Sequence, residues 1–252
     1  MPRTPLLAGN WKMHGTRSEA AALARAIADG VAGLAGREVL IAPPFTALDV
    51  VAQAIRGSRV KLGAQNVHWE PKGAFTGEIA TTMLAELGCT HAIIGHSERR
   101  QFFGESDETV AKRLRAALAA GLTPIVCVGE SLAEREAGQT GAVVTRQIDG
   151  AFAGLSAPDL GRCVVAYEPV WAIGTGHTAT PAQAQDVHAA IRAQLGGLAT
   201  AAVAATVRIL YGGSVKADNI DTLMREPDLD GALVGGASLD AKAFIRIARY
   251  EE

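Results

Sequence analysis

Apolar residues are distributed along the chain in two alternating rhythms. Short runs that are apolar almost throughout begin near residues 5, 37, 59, 90, 123, 163, 207 and 230: PLLAG, REVLIAP, RVKLGAQ, THAIIG, TPIVCV, CVVAYE, VRILYG and DGALVG. Between them lie alanine-rich stretches with apolar positions at helical spacing, such as SEAAALARAIADGVAGLA, DETVAKRLRAALAA and PAQAQDVHAAIRAQL. A run with no polar face suits a parallel strand covered on both sides. The third stretch opens on Pro181 after Thr180, the pairing expected of a first-turn proline behind an N-cap. The pattern predicts eight strand–helix units in 252 residues, roughly 31 residues each, the size of a βα repeat.

No linker or low-complexity break interrupts the series, so residues 1–252 read as a single α/β domain. A closed (β/α)8 barrel is the favoured architecture, and an open doubly wound sheet is the alternative left by pattern alone. At 48% hydrophobic, 20% charged and a formal net charge of -2, the chain has an ordinary globular composition. That balance gives no support for a nucleic-acid partner or an anionic membrane surface. No apolar run approaches the ~20 residues of a membrane span. The N-terminus, MPRTPLLAGNWK, lacks the pattern of a secretory signal. Cys89, Cys127 and Cys163 have no CxxC spacing and read as small buried hydrophobes in a reducing compartment, so a cytoplasmic location is expected.

A barrel places its chemistry at the C-terminal ends of its strands. Strand one is followed by GNWKMHG, with Asn10 and Lys12, and strand four ends in GHSERRQFF, which groups His96, Ser97 and Glu98. Strand six ends in Glu168 and runs into PVWAIGTG; strands seven and eight end in YGGSV and VGGASL. Gly212, Gly213, Ser214, Gly235 and Gly236 thus form two glycine-rich turns before helices, where close backbone approach and exposed N–H groups favour a phosphate. Glu168, followed by Pro169, Val170, Trp171 and Ile173, is expected to be shielded from water, with its pKa raised towards that of a general base. Ser97 is expected to cap a short helix, beside which His96 works as a neutral hydrogen-bond donor. Lys12 offers a fixed cation next to the phosphate. The remaining histidines (His14, His68, His91, His177, His188) show no metal-ligand spacing, and there is no GxGxxG dinucleotide fingerprint. One base, one neutral donor, one cation and a phosphate cradle describe proton abstraction next to a carbonyl in a phosphorylated sugar.

GNWKMHG, IIGHSERR, YEPVWAIGTG, LYGGSV and LVGGASL, in this order, resemble the signature segments of the triosephosphate isomerase family, over about Pro5 to Ile247. The resemblance implies interconversion of dihydroxyacetone phosphate and D-glyceraldehyde 3-phosphate, without cofactor or metal. It implies Glu168 as the base, His96 as the neutral electrophile, and Lys12 with Asn10 as the substrate-binding pair. Glu98 is then an acid paired with Lys12, and Cys127 a packing residue near Glu168. Gly174, Ser214, Gly235 and Gly236 supply N–H groups to the phosphate. Pro169, Val170, Trp171, Ala172, Ile173, Gly174, Thr175 and Gly176 form a lid. The loop QNVHWEPKGAFTGEI resembles the family's dimer arm, with Gln65, Thr76 and Glu78 as contact residues of a homodimer. His14, His68 and Ala232 depart from the family's commoner residues and bear on interface and packing. Two rivals are a different phosphosugar barrel isomerase, which needs neither GHSERR nor EPVWAIGTG, and a silent binding barrel, which would have lost Glu168, His96 or Lys12.

Overall fold

Leu6–Asn10 (β1) pairs in parallel with Glu38–Ala42 (β2) on one side and with Gly231–Val234 (β8) on the other. Lys61–Ala64 (β3), His91–Ile94 (β4), Thr123–Val128 (β5), Val164–Tyr167 (β6) and Arg208–Tyr211 (β7) complete the ring in chain order. The computed structural model describes residues 3–173 and 178–251. The architecture is a closed (β/α)8 barrel, and all eight expected strands are present, so the open-sheet alternative falls.

Strand side chains alternate between the two faces, and the buried residues accordingly divide into two clusters. Leu6, Ala8, Leu40, Ile125, Cys127, Ala166 and Leu210 pack in the barrel interior. Their neighbours Leu7, Val39, Ile41, Val126, Val165 and Ile209 pack outward under the helices. This two-sided burial is why the strands carry almost no polar positions. The same alternation runs to the end of β1 and past the ends of β5, β6 and β7, so Asn10, Gly129, Glu168 and Gly212 follow interior residues at the mouth of the barrel.

The helices begin where the local chemistry directs. Thr16 caps Arg17–Gly30 and Ser106 caps Asp107–Ala119, each in a reciprocal capping box. Thr180 caps Pro181–Leu198 with its proline in the first turn, as the sequence predicts. No helix among the described residues is long and apolar enough to cross a membrane.

Candidate active site

Asn10 ends β1, and its Oδ1 accepts the Lys12 N–H at 3.0 Å. Lys12 has φ 50°, alone among the described non-glycine residues in being positive. That conformation costs an L-residue about 1–2 kcal/mol. The Gln65 amide donates to the Lys12 carbonyl at 2.7 Å and to Ala42 O at 2.9 Å, so the bend is held on both sides. From it the Lys12 ammonium reaches Glu98 Oε1 at 2.6 Å.

His96, two residues beyond β4, occupies the N-cap of the helix Ser97–Phe103, where its Nδ1 accepts the Glu98 N–H at 3.2 Å. The capping role expected of Ser97 is therefore corrected: a residue one position earlier supplies the acceptor. Ser97 is the first helical residue, and its N–H, unpaired within the helix, donates to Glu168 Oε2 at 2.9 Å. His96 Nε2 lies 3.0 Å from Glu168 Oε1. With Nδ1 accepting from the Glu98 N–H, this geometry fits a ring proton on Nε2, aimed at the carboxylate.

Glu168 is 2% exposed. Burial pushes its pKa up, but His96, the Ser97 N–H and Lys12 together hold it below the ordinary carboxylate value. The expected upward shift is thus corrected, because desolvation competes with opposite charge and with hydrogen bonds to the charged form. Burial pulls His96 down, while the Glu168 carboxylate, their hydrogen bond and Glu98 push it up and prevail. The His96–Glu168 contact contributes to both shifts, lowering the carboxyl and raising the imidazole. The Cys127 thiol lies against Glu168, and burial with that carboxylate raises it well above its usual value, away from the reactive thiolate.

The glycine-rich turns flank this array. A Cβ on Gly212 would stand 2.8 Å from Glu168 Cγ, and one on Gly235 would stand 3.4 Å from Lys12 Cε. Gly236 opens a 3₁₀ helix, Gly236–Leu239. The other turn does not lead directly into a helix as expected, because the next one begins at Ile220. Ser214, in that turn, is half-buried, and its carbonyl accepts the Asn219 amide at 3.0 Å. Gly174, Thr175 and Gly176 lie outside the described residues. Asn10, Lys12, Gln65, His96 and Glu98 line a cleft of about 200 Å3.

The sequence model of the family described as Triosephosphate isomerase matches residues 5–251. A triosephosphate isomerase of Herpetosiphon aurantiacus is 59% identical over 249 residues, covering 99% of this chain and 100% of the relative. One of Chloroflexus aurantiacus is 57% identical with the same coverage, and one of a Roseiflexus species is 56% identical over 98% of each chain. The chain belongs to the triosephosphate isomerase family. Accordingly it is an isomerase, of a glycolytic family.

Within this barrel, the segment after β6 is rooted by a residue that the sequence reading does not single out. Glu130, fully buried just past β5, accepts from the Tyr167 hydroxyl at 3.1 Å, Trp171 Nε1 at 2.9 Å and Arg135 at 3.2 Å. Its carbonyl takes the Val170 N–H at 3.0 Å. The signal was an acid directly after a strand end, GES, the same signal that marks Glu168. Pro169 and Ala172 are buried, and Val170–Ala172 form one 3₁₀ turn.

In the loop after β3, Thr76 is exposed, while Glu78 lies 3.2 Å from His68 Nδ1 and 3.7 Å from Arg113. His68 is buried between Trp69 and Phe75, with ring centroids at 4.2 and 4.6 Å, so an imidazole fills an aromatic position. Ala232 is buried in β8, and His14 is exposed. Among the described residues, no group of three or more His, Cys, Asp or Glu is placed to hold a metal ion.

Proposed function

We propose that the protein interconverts dihydroxyacetone phosphate and D-glyceraldehyde 3-phosphate through an enediolate. Glu168 removes a proton from the carbon beside the carbonyl, and the C–H electron pair becomes the enediolate double bond as the carbonyl oxygen gains negative charge. His96, donating from Nε2, and the Lys12 ammonium stabilise that oxygen. The hydroxyl proton passes from one enediolate oxygen to the other and the carbon-bound proton returns to the neighbouring carbon, which completes the exchange of aldehyde and ketone, a redistribution within one molecule that calls for no cofactor.

The observation that carries this reading is the continuous array Lys12–Glu98–His96–Glu168 at the barrel mouth. A substrate carbonyl that takes the Nε2 proton from Glu168 also frees the carboxylate to turn towards carbon. Asn10, Ser214, Gly235 and Gly236, with Gly174, hold the substrate and its phosphate through polar and N–H groups. The apolar segment Pro169–Gly176 serves as a lid whose wall keeps water from the base and the enediolate.

The protein further functions as a cytoplasmic homodimer through the loop containing Gln65, Thr76 and Glu78. Exposed Met13, Phe75, Met83, Phe102 and Phe103 support that reading, since solvent is a costly environment for large apolar side chains. Light scattering should give twice the chain mass; a monomer at micromolar concentration contradicts the dimer.

A coupled assay with glyceraldehyde 3-phosphate tests the activity, with Glu168→Ala in parallel. Turnover by the wild type and a loss of at least about 100-fold in the variant are expected. A folded wild type without turnover overturns the activity, and a variant within a few-fold of wild type overturns the role of Glu168.

A further inference from the structure

Gln147 lies on the helix Thr140–Phe152, among Val143, Val144, Ile148 and Ala151, and is 5% exposed. Both ends of its amide are spent on one residue: the Gly129 N–H donates to Oε1 at 2.7 Å, and Nε2 donates to the Gly129 carbonyl at 3.2 Å. Gly129 is the first residue past β5, and its backbone is pressed against that of Glu168. A Cβ there would stand 1.8 Å from the Glu168 carbonyl oxygen and 3.2 Å from its Cα. On either side of Gly129 the two strand ends are joined directly, Glu168 N–H to Val128 O at 2.7 Å and Val170 N–H to Glu130 O at 3.0 Å. At Gly129 itself the helix supplies the partners.

We propose that Gln147 is a positioning residue for the isomerisation, acting through Gly129 to fix the main chain from which the Glu168 carboxylate swings. The proposal rests on Glu168 being the base. Gln147, Gly129 and Glu168 all line one cavity of about 390 Å3. Without the amide, the two half-buried backbone groups of Gly129 lose their protein partners and turn to water instead, which loosens the strand end against Glu168. Displacement of a reacting group by about 1 Å can cost on the order of 100-fold in rate.

The test uses Gln147→Met, which keeps length and removes both bonds, and Gln147→Glu, which keeps the acceptor for the Gly129 N–H. Ile148→Ala, on the same helix with the clasp intact, controls for loss of stability. Gln147→Met should lower kcat by about 10- to 100-fold while KM and the inhibition constant of inorganic phosphate stay within threefold. Gln147→Glu should fall between it and the wild type, and remains the decisive variant if Gln147→Met does not fold. Ile148→Ala should lower Tm with kcat within twofold. Wild-type kcat in the folded Gln147 variants overturns the proposal, as does an equal kcat loss in Ile148→Ala at matched Tm. Glu168→Ala separates the two failures: if it stays active, the base is misassigned, whereas if it is inactive and Gln147→Met is not impaired, the role of Gln147 alone is wrong.

Discussion

Trp171 donates its indole N–H to the buried carboxylate of Glu130 at 2.9 Å, with the Arg135 guanidinium 4.4 Å from the indole centroid. The first turn after Glu168 is thereby tied to the end of the neighbouring strand. Glu130→Leu would leave the Tyr167 hydroxyl, the indole and Arg135 without their shared acceptor. We expect a loss of about 3 kcal/mol, or roughly 10 °C in Tm. Calorimetry showing less than about 1 kcal/mol would mean the carboxylate is not the anchor described.

Lys12 is held in a strained bend by Asn10 below and Gln65 above. Lys12→Met should retain the fold and reduce kcat/KM on the order of 100-fold, because a cation facing developing charge is lost. Gln65→Leu should have a smaller effect, on the order of 10-fold, by releasing the Lys12 carbonyl. Steady-state kinetics that rank Gln65→Leu below Lys12→Met would contradict this order of importance.

Two histidines away from the site should govern stability in mild acid. Burial lowers His91 to about 4, helped by Arg208, and lowers His188 to about 4. Both are depressed below the ordinary value of 6.5, so the unfolded chain binds protons first as pH falls. Stability is therefore fully present above about pH 6.5 and declines towards pH 4, each group approaching about 1.4 kcal/mol per pH unit within that window. Urea titrations at pH 7.0, 6.0 and 5.0 should show the decline, and His91→Gln should flatten it. A slope unchanged in His91→Gln excludes that residue as a source.

All three thiols should resist alkylation in the native protein. Burial pushes Cys89 and Cys163 up to about 12, and Cys127 is raised well above its usual value. Since the thiolate is the reactive form, iodoacetamide at pH 8 should leave the folded chain unmodified and add three adducts in denaturant. A native adduct on Cys127 detected by mass spectrometry would show that the thiol is reachable and partly ionised.

The strands were legible because a parallel barrel buries both faces, which leaves eight apolar runs that cannot be mistaken for surface strands. Asn10, Lys12, His96, Glu98 and Glu168 were legible because barrel chemistry gathers at strand ends. The direction of the Glu168 shift was not, since it depends on His96 Nε2 and on the Ser97 N–H, which arrives from the helix start 71 residues earlier in the chain. Ser97 was assigned the cap because serine is a common N-cap, whereas backbone geometry gave that place to an imidazole. Glu130 is not legible in the same way, because its partners Tyr167, Trp171 and Arg135 come together only in the fold. Gln147 did leave a trace: it breaks the apolar stripe Val143, Gln147, Ala151 at helical spacing, and a polar residue on a buried stripe asks for a partner.

The pairing of β1 with β8 brings Lys12 beside Gly235, so residues from the two extremes of the chain meet at one centre. A growing polypeptide that has not yet made β8 can form most of its neighbouring strand pairs, yet it has no closed ring and lacks the turn that stands beside Lys12. Turnover therefore begins at a single late event in synthesis. Enzymatic activity in a translation reaction is, for this barrel, a clock that starts when the ring shuts.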